Sequence, residues 1–329
     1  MQATAFVITA KETLELRSFE LRDPEPHEVL LEALYTCISP GTELRCFRGL
    51  QAGTVYPFIP GYSFIGRVLK SGAASGVPVG SLVLTGGTRV APGLTLMWGG
   101  HCSHAVVPGA NLYVLPAGVD PLEASLAKLG AIAYHGMRLS RPRPNERVAV
   151  LGLGPIGQMA ALMHGLCGAH VVGYDRSIDR QQAAAALGIQ VAANGADAAA
   201  AFKDIFPGGA DIVVDATGAP QAISGGIALA RDLPWGVENL TGARYLVQGS
   251  YAEGFTIPYE PAFFRELNFL IPRDTVPSDG ASVLELLSRK QLSFRPMISA
   301  VRTPEEGADT YRQLMSDPKL VTVAFRWHA

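Results

Sequence analysis

The chain reads as an α/β protein in two parts: a β-rich first domain, and a nucleotide-binding domain on a doubly wound parallel sheet. Three observations predict this. Arg147-Val-Ala-Val-Leu151 is a short apolar run, followed by Gly152, Gly154 and Gly157 in the spacing G-x-G-x-x-G. A second apolar run, over residues 169–174, ends on Asp175, 21 residues past Gly154. Strand and helix patterns then alternate to about residue 248, whereas before about residue 118 only short alternating runs occur.

Each part of the glycine unit has a physical reason. The first glycine permits a tight turn after the strand. The second lets backbone approach a pyrophosphate, and the third lets the helix pack on the strand. Pro155 suits a first helical turn, where its missing N–H costs nothing. The helix expected over residues 156–167, opening with Ile156, points free N–H groups and its positive dipole end at phosphate. A carboxylate about 20 residues further on suits the adenosine ribose hydroxyls. Asp175 would repel a 2′-phosphate and so favours NAD. Arg176 and Arg180 just beyond it can accommodate that phosphate, which keeps NADP open. A phosphate-free βαβ unit is the plainer alternative. The strand ends at Thr217-Gly218 and Gly249-Ser250 are where such a sheet holds a ligand.

Elsewhere the patterns are shorter. Strands are expected over residues 2–8, 13–19, 29–36, 66–70, 81–84, 104–107 and 112–115, separated by Gly and Pro as in a small barrel or sandwich. A single helix is expected over residues 122–139, with Leu122, Leu126, Leu129 and Ile132 on one face. Past Asp175, helices are expected over 179–187, 196–205 and 220–230, with strands over 189–192, 211–215 and 245–248. The tail has helical patterns near 283–289 and 304–315 and a last strand over 320–327, and is expected to rejoin the first domain.

A chain of 329 residues suits two domains. A net charge of −2 offers nothing to nucleic acid or an acidic membrane, and no apolar run is long enough to span a bilayer. No signal-peptide pattern opens the sequence, so the cytoplasm is the expected compartment. Cys37, Cys46, Cys102 and Cys167 have no C-x-x-C spacing, and four free thiols are expected.

Further motifs carry a resemblance. Ser39-Pro-Gly-Thr-Glu43, Pro60-Gly-Tyr-Ser-Phe-Ile-Gly-Arg-Val68, Ala133-Tyr-His-Gly136 and Gly152-Leu-Gly-Pro-Ile-Gly157 resemble the medium-chain dehydrogenase/reductase superfamily over nearly the whole chain. Tyr56-Pro-Phe-Ile-Pro-Gly-Tyr62, Pro261-Ala-Phe-Phe-Arg-Glu266, Met315-Ser-Asp-Pro318 and Trp327 resemble its bacteriochlorophyllide dehydrogenase branch, whose members oxidise a hydroxyethyl side chain. The resemblance implies a GroES-like catalytic domain (residues 1–120 and 269–329) and a Rossmann nucleotide-binding domain (121–268). It also implies a homodimer paired through the sheet edge near residues 255–271.

The zinc alcohol dehydrogenases of the superfamily hold a catalytic zinc on three ligands. Counted onto this chain, those places fall at Ser39 or Pro40, at Tyr62, and at about Lys128, none a good zinc ligand. The lobe of four cysteines for a structural zinc is missing as well. No zinc is therefore expected. In its place, the Lys128 ammonium would supply positive charge and exchange a proton, unless Lys128 is simply an exposed helix lysine. Tyr62 is a candidate general acid or a packing tyrosine. Thr42 matches a proton-passing hydroxyl or is a turn residue, and Ser39 adds another hydroxyl. Glu43 is expected to hold Arg67. His101, His104 and His135 are expected to be structural. Met97 and Trp98 either line an apolar pocket or pack a loop.

The expected activity is zinc-independent, NAD(P)-dependent interconversion of a secondary alcohol and a ketone on a small-molecule substrate: a bulky ring compound, a polyol or a specialised metabolite. A metal-free quinone or enoyl reductase, and an NAD(H)-binding protein without turnover, are the alternatives.

Overall fold

A computed structural model describes residues 1–192, 198–238 and 240–328. The chain forms two compact units, Met1–Leu129 with Gly280–Ala329, and Gly130–Asp279. In chain order the first stretch carries β1 (Gln2–Ala10), β2 (Thr13–Glu20), β3 (Glu28–Cys37), α1 (Pro40–Phe47), β4 (Phe58–Pro60), β5 (Phe64–Ser71), β6 (Leu82–Thr85), β7 (Thr95–Met97), β8 (His104–Pro108), β9 (Tyr113–Val114) and α2 (Pro121–Ala124). There follow α3 (Ala127–Ser140), β10 (Arg147–Leu151), α4 (Pro155–Leu166), β11 (His170–Tyr174), α5 (Ile178–Ala186), β12 (Gln190–Val191), α6 (Ala198–Lys203), β13 (Ile212–Asp215), α7 (Ala222–Leu229), β14 (Arg244–Val247), α8 (Tyr259–Phe263) and β15 (Asn268–Leu270). The tail supplies α9 (Pro277–Ser288), β16 (Ile298–Arg302), α10 (Gly307–Ser316) and β17 (Thr322–Arg326).

The first unit is a GroES-like arrangement of two sheets. One runs β2-β1-β4-β7, the other β16-β17-β3-β5-β6-β9, with β8 also paired to β3. The tail belongs here: β17 lies antiparallel to β3, Ala324 opposite Cys37, so the last strand closes a sheet begun by the third. Alternation fills the interior. Phe6, Ile8, Ile38, Phe47, Phe58, Tyr311 and Phe325 form one core cluster, and Val29, Leu31, Ile59, Phe64 and Val106 belong to another.

The second unit is a six-stranded parallel Rossmann sheet in the order β12-β11-β10-β13-β14-β15. Counted from β10, this is 3-2-1-4-5-6, whose order reverses between β10 and β13, the switch point where such sheets bind ligands. Val148, Ala149, Val150 and Leu151 are all buried, as a strand covered on both faces requires.

Several local expectations are corrected. The single helix over 122–139 is two, α2 and α3. At the break, Ser125 Oγ donates to the Leu122 carbonyl (2.6 Å) and Ser63 Oγ donates to the Ser125 carbonyl, side-chain bonds that compete with a continuous helix. Helix α1 and strands β4 and β7 were not expected. The seam placed at 268/269 would cut β15, whose Asn268, Phe269 and Leu270 pair with β14; the second unit instead runs to Asp279. The start expected at Ala196 for the helix that appears as α6 lies outside the described residues.

Candidate functional site

Each unit carries a candidate site. In the second, the glycine unit occupies the switch point. Gly152 adopts φ +84° between β10 and α4, the left-handed region where glycine avoids strain. A Cβ on Gly157 would stand 1.8 Å from the Gly152 carbonyl oxygen, so helix and strand approach as they do only with glycine there. Gly154 differs: a Cβ on it would meet nothing within 4 Å. Gly154 is the N-cap of α4, Pro155 opens the helix, and no N-cap side chain bonds the first-turn N–H groups. Ile156 is half-buried beside them.

Asp175 ends β11 and is tied to this loop. Its Oδ2 accepts from Leu153 N (2.7 Å) and its Oδ1 from Ser177 N (2.9 Å). Each carboxylate oxygen retains a second lone pair for a ribose hydroxyl. Arg176 is exposed and Arg180 half-buried at the start of α5. Thr217 is bound up locally, its N and Oγ1 donating to Asp215 Oδ1 at 2.9 and 2.6 Å. The ends of β13 and β14 press together, since a Cβ on Gly249 would lie 2.5 Å from Gly218 N. Ser250 is exposed at that edge.

Sequence reasoning passed over Asp215. This fully buried carboxyl ends β13 and also accepts from Tyr245 Oη at 2.8 Å, holding the switch-point loop in shape. An acid closing the apolar run Ile212-Val-Val was the available signal. Burial and the Asp215 charge push the Tyr245 phenol far up.

In the first unit, Tyr62 and Ser39 meet: the Tyr62 hydroxyl donates to Ser39 Oγ. Both residues are buried, and the Trp98 ring stands edge-on to Tyr62 at 5.1 Å. Met97 packs on the core. Thr42 sits half-buried in the first turn of α1, and Lys128 half-buried in the first turn of α3.

Glu43 does not hold Arg67. Arg67 is exposed on β5, opposite Glu32 of β3, whereas Glu43 is fully buried. Glu43 Oε1 accepts from Ser39 N (2.8 Å), while Oε2 meets His101 Nε2 (2.9 Å) and accepts from Tyr311 Oη (2.5 Å). On the far side His101 Nδ1 meets Thr36 Oγ1 (2.7 Å), which accepts from Trp327 Nε1 (2.9 Å). With Thr36 donating to Nδ1 and Nε2 donating to Glu43, both ring nitrogens of His101 and both Glu43 oxygens have partners within this network. Burial first, then Glu43, pushes the Tyr311 phenol well above its ordinary range. This network braces the backbone beneath Ser39. His135 also binds locally, its Nδ1 2.9 Å from Asp279 Oδ2.

Known proteins match this architecture. Residues 155–266 match the zinc-binding dehydrogenase family model. The 2-desacetyl-2-hydroxyethyl bacteriochlorophyllide A dehydrogenase of Cereibacter sphaeroides is 24% identical across 100% of this chain and 99% of its own. Aldehyde reductase YahK of Escherichia coli is 31% identical over 65% of this chain and 69% of its own. The chain belongs to the medium-chain dehydrogenase/reductase superfamily, and it is an oxidoreductase. The fold of this dehydrogenase matches the 2R,3R-butanediol dehydrogenase of Bacillus subtilis with a TM-score of 0.85 at 18% identity, covering 98% of this chain and 99% of that one.

Proposed function

We propose that this dehydrogenase interconverts a secondary alcohol and a ketone with NAD, or less favourably NADP, and without a catalytic zinc. The observation that carries this is the buried Ser39–Tyr62 hydroxyl pair, two residues that the resemblance counts onto metal-ligand places of the superfamily's zinc enzymes. Two hydroxyls with a lysine are a poor donor set for zinc, which takes thiolate, imidazole or carboxylate. The site does not fit that metal.

The dinucleotide does fit. The gap above Gly154, the uncapped first turn of α4 and the Asp175 carboxylate are the surfaces a pyrophosphate and a ribose require. When bound, the cofactor supplies hydride to a carbonyl carbon or takes it back. This chain's own residues handle the oxygen. Because Tyr62 donates to Ser39 Oγ, the Ser39 hydrogen is directed to another acceptor, the substrate oxygen. In reduction that oxygen takes the Ser39 proton, Ser39 regains one from Tyr62, and Tyr62 is reprotonated from water before the next turnover. The Lys128 ammonium supplies positive charge for the developing alkoxide, and Thr42 adds a hydroxyl on the same unit.

The hydroxyethyl group in the name of the Cereibacter relative supports a secondary alcohol as substrate. The edge strand β15 neighbours a contacting cluster of exposed rings, Trp235, Tyr259, Phe263 and Phe264, which supports a homodimer through this edge. Four free cysteines suit the reducing cytoplasm. Among the described residues, no helix is long and apolar enough to cross a membrane.

The test is a panel of secondary alcohols and ketones with NADH and NADPH titrations. Tyr62→Phe and Ser39→Ala are expected to lower kcat by about 100-fold or more while leaving NADH affinity unchanged. Asp175→Asn is expected to weaken NADH binding selectively. Turnover that stops on chelation and returns with zinc would refute the metal-free site, and a folded protein ignoring both cofactors would refute the rest.

A further inference from the structure

Glu32 on β3, His104 on β8 and His328 just past β17 come together on one face of the first unit's larger sheet. Their ligand atoms all lie within 4.8 Å of one another, and all three side chains are half-buried. Register brings them there: Glu32 is directly opposite His104 in the β3–β8 ladder. Continuation of the β17–β3 pairing through Trp327 N to the Leu34 carbonyl (3.1 Å) carries His328 along the β3 edge that β8 also occupies, toward His104. The two imidazoles touch, with ring centroids 5.3 Å apart.

We propose that Glu32, His104 and His328 bind a divalent transition-metal ion of the zinc class, which fastens the C-terminal tail to the sheet.

Three observations support the assignment. His328 Nε2 is shut away from solvent and has no hydrogen-bond partner, an orphan a metal bond would satisfy. Among the described residues the Glu32 carboxylate is likewise without a hydrogen bond or ion pair, although Arg67 stands opposite it on β5. His104 is already oriented, since its Nδ1 lies 3.1 Å from Ser103 Oγ, itself accepting from Thr4 N at 2.9 Å. A metal-bound imidazole ordinarily donates its other N–H to such an outer partner.

Two imidazoles and one carboxylate are a zinc-type donor set, with a water completing the tetrahedron. Tetrahedral zinc would hold these atoms about 3.3 Å apart, so the site closes on binding. His328 lies beyond the final tail-to-sheet hydrogen bond and supplies that movement. The site is separate in composition from the Ser39–Tyr62 pair, and it means that metal found in the purified protein is not by itself evidence of a catalytic zinc.

The test uses tag-free, metal-stripped protein titrated with Zn²⁺ against a chromophoric chelator. Wild type is expected to bind one equivalent and to gain thermal stability. His104→Gln, His328→Gln and Glu32→Gln should each weaken binding at least about ten-fold and abolish the stability gain, with turnover unchanged. Cu²⁺-loaded wild type should show two imidazole nitrogens by electron paramagnetic resonance, a reading that depends on no variant. Absence of binding at submillimolar zinc would overturn the site. So would full affinity retained in all three variants, or a spectrum without nitrogen coupling. Turnover separates this site from the metal-free reading: an essential zinc elsewhere would survive the His104 and His328 substitutions and still be needed for activity.

Discussion

The glycine loop of the second unit and the buried polar network of the first are both built to hold backbone in place, but by opposite means. At the loop, side chains are removed. Gly152 and Gly157 let strand and helix come closer than any Cβ allows, and the N-cap of α4 offers no side chain to its first-turn N–H groups. In the network, side chains are added and fully paired. Thr36, Glu43, His101, Tyr311 and Trp327 come from five places in the chain and spend their donors and acceptors on one another and on Ser39 N. The difference teaches where to look for binding and where for support: open backbone donors mark the first, and a closed circuit of side chains marks the second.

Three experiments test this contrast, largest effect first. Gly157→Val places a side chain against the Gly152 carbonyl, where a Cβ already stands at 1.8 Å. Overpacking of about 3 kcal/mol or more should raise the NADH dissociation constant at least ~100-fold. Fluorescence titration reads it, and binding within ten-fold of wild type would mean the loop does not hold the cofactor.

Glu43→Ala should act on stability first. It strands Ser39 N, His101 Nε2 and Tyr311 Oη without their acceptor, and loss of about 3–5 kcal/mol is expected from urea unfolding. NADH affinity should be little changed, because the network lies in the other unit. A loss below about 1 kcal/mol would show that the circuit is not a support.

The third experiment uses pH. His164 in α4 is fully buried, its Nδ1 2.7 Å from the Ala160 carbonyl oxygen. Burial pushes its imidazole down to about 4 from 6.5. Between those values the unfolded chain takes a proton that the folded chain refuses. The contribution is therefore complete above pH 6.5 and is lost as pH falls toward 4, by about 3 kcal/mol in all. In the first unit, burial pushes Cys37, Cys46 and Cys102 up to about 12 from 9.0. Their contribution is complete below pH 9 and is lost as pH rises toward 12. Melting temperature against pH should thus decline at both ends, and His164→Asn should flatten only the stretch between pH 6.5 and about 4.

Much of the second unit was legible because its signals are local. The run Val148–Leu151, the three glycines and Asp175 lie within one βαβ segment, and spacing alone relates them. The first unit was legible as strands but not as a site. Tyr62 was singled out as a possible acid, yet nothing in the sequence shows that its hydroxyl meets Ser39, 23 residues away. Glu43 was matched to Arg67, the wrong partner, because its true partners His101 and Tyr311 are 58 and 268 residues away. Helix α1 was not expected because a Pro-Gly pair is common in turns, although a proline is well suited to a first helical turn.

Sequence by itself determined the glycine turn after β10, the order of strands and helices around it, and the place of this chain among the dehydrogenases. These depend on short-range periodicity and on where glycine alone fits. Tertiary structure decided which hydroxyls face each other, what Glu43 braces, and that a carboxylate and two imidazoles from residues 32, 104 and 328 share one patch of sheet. Those meetings follow from strand register and from the tail's return to β3, which no local pattern encodes.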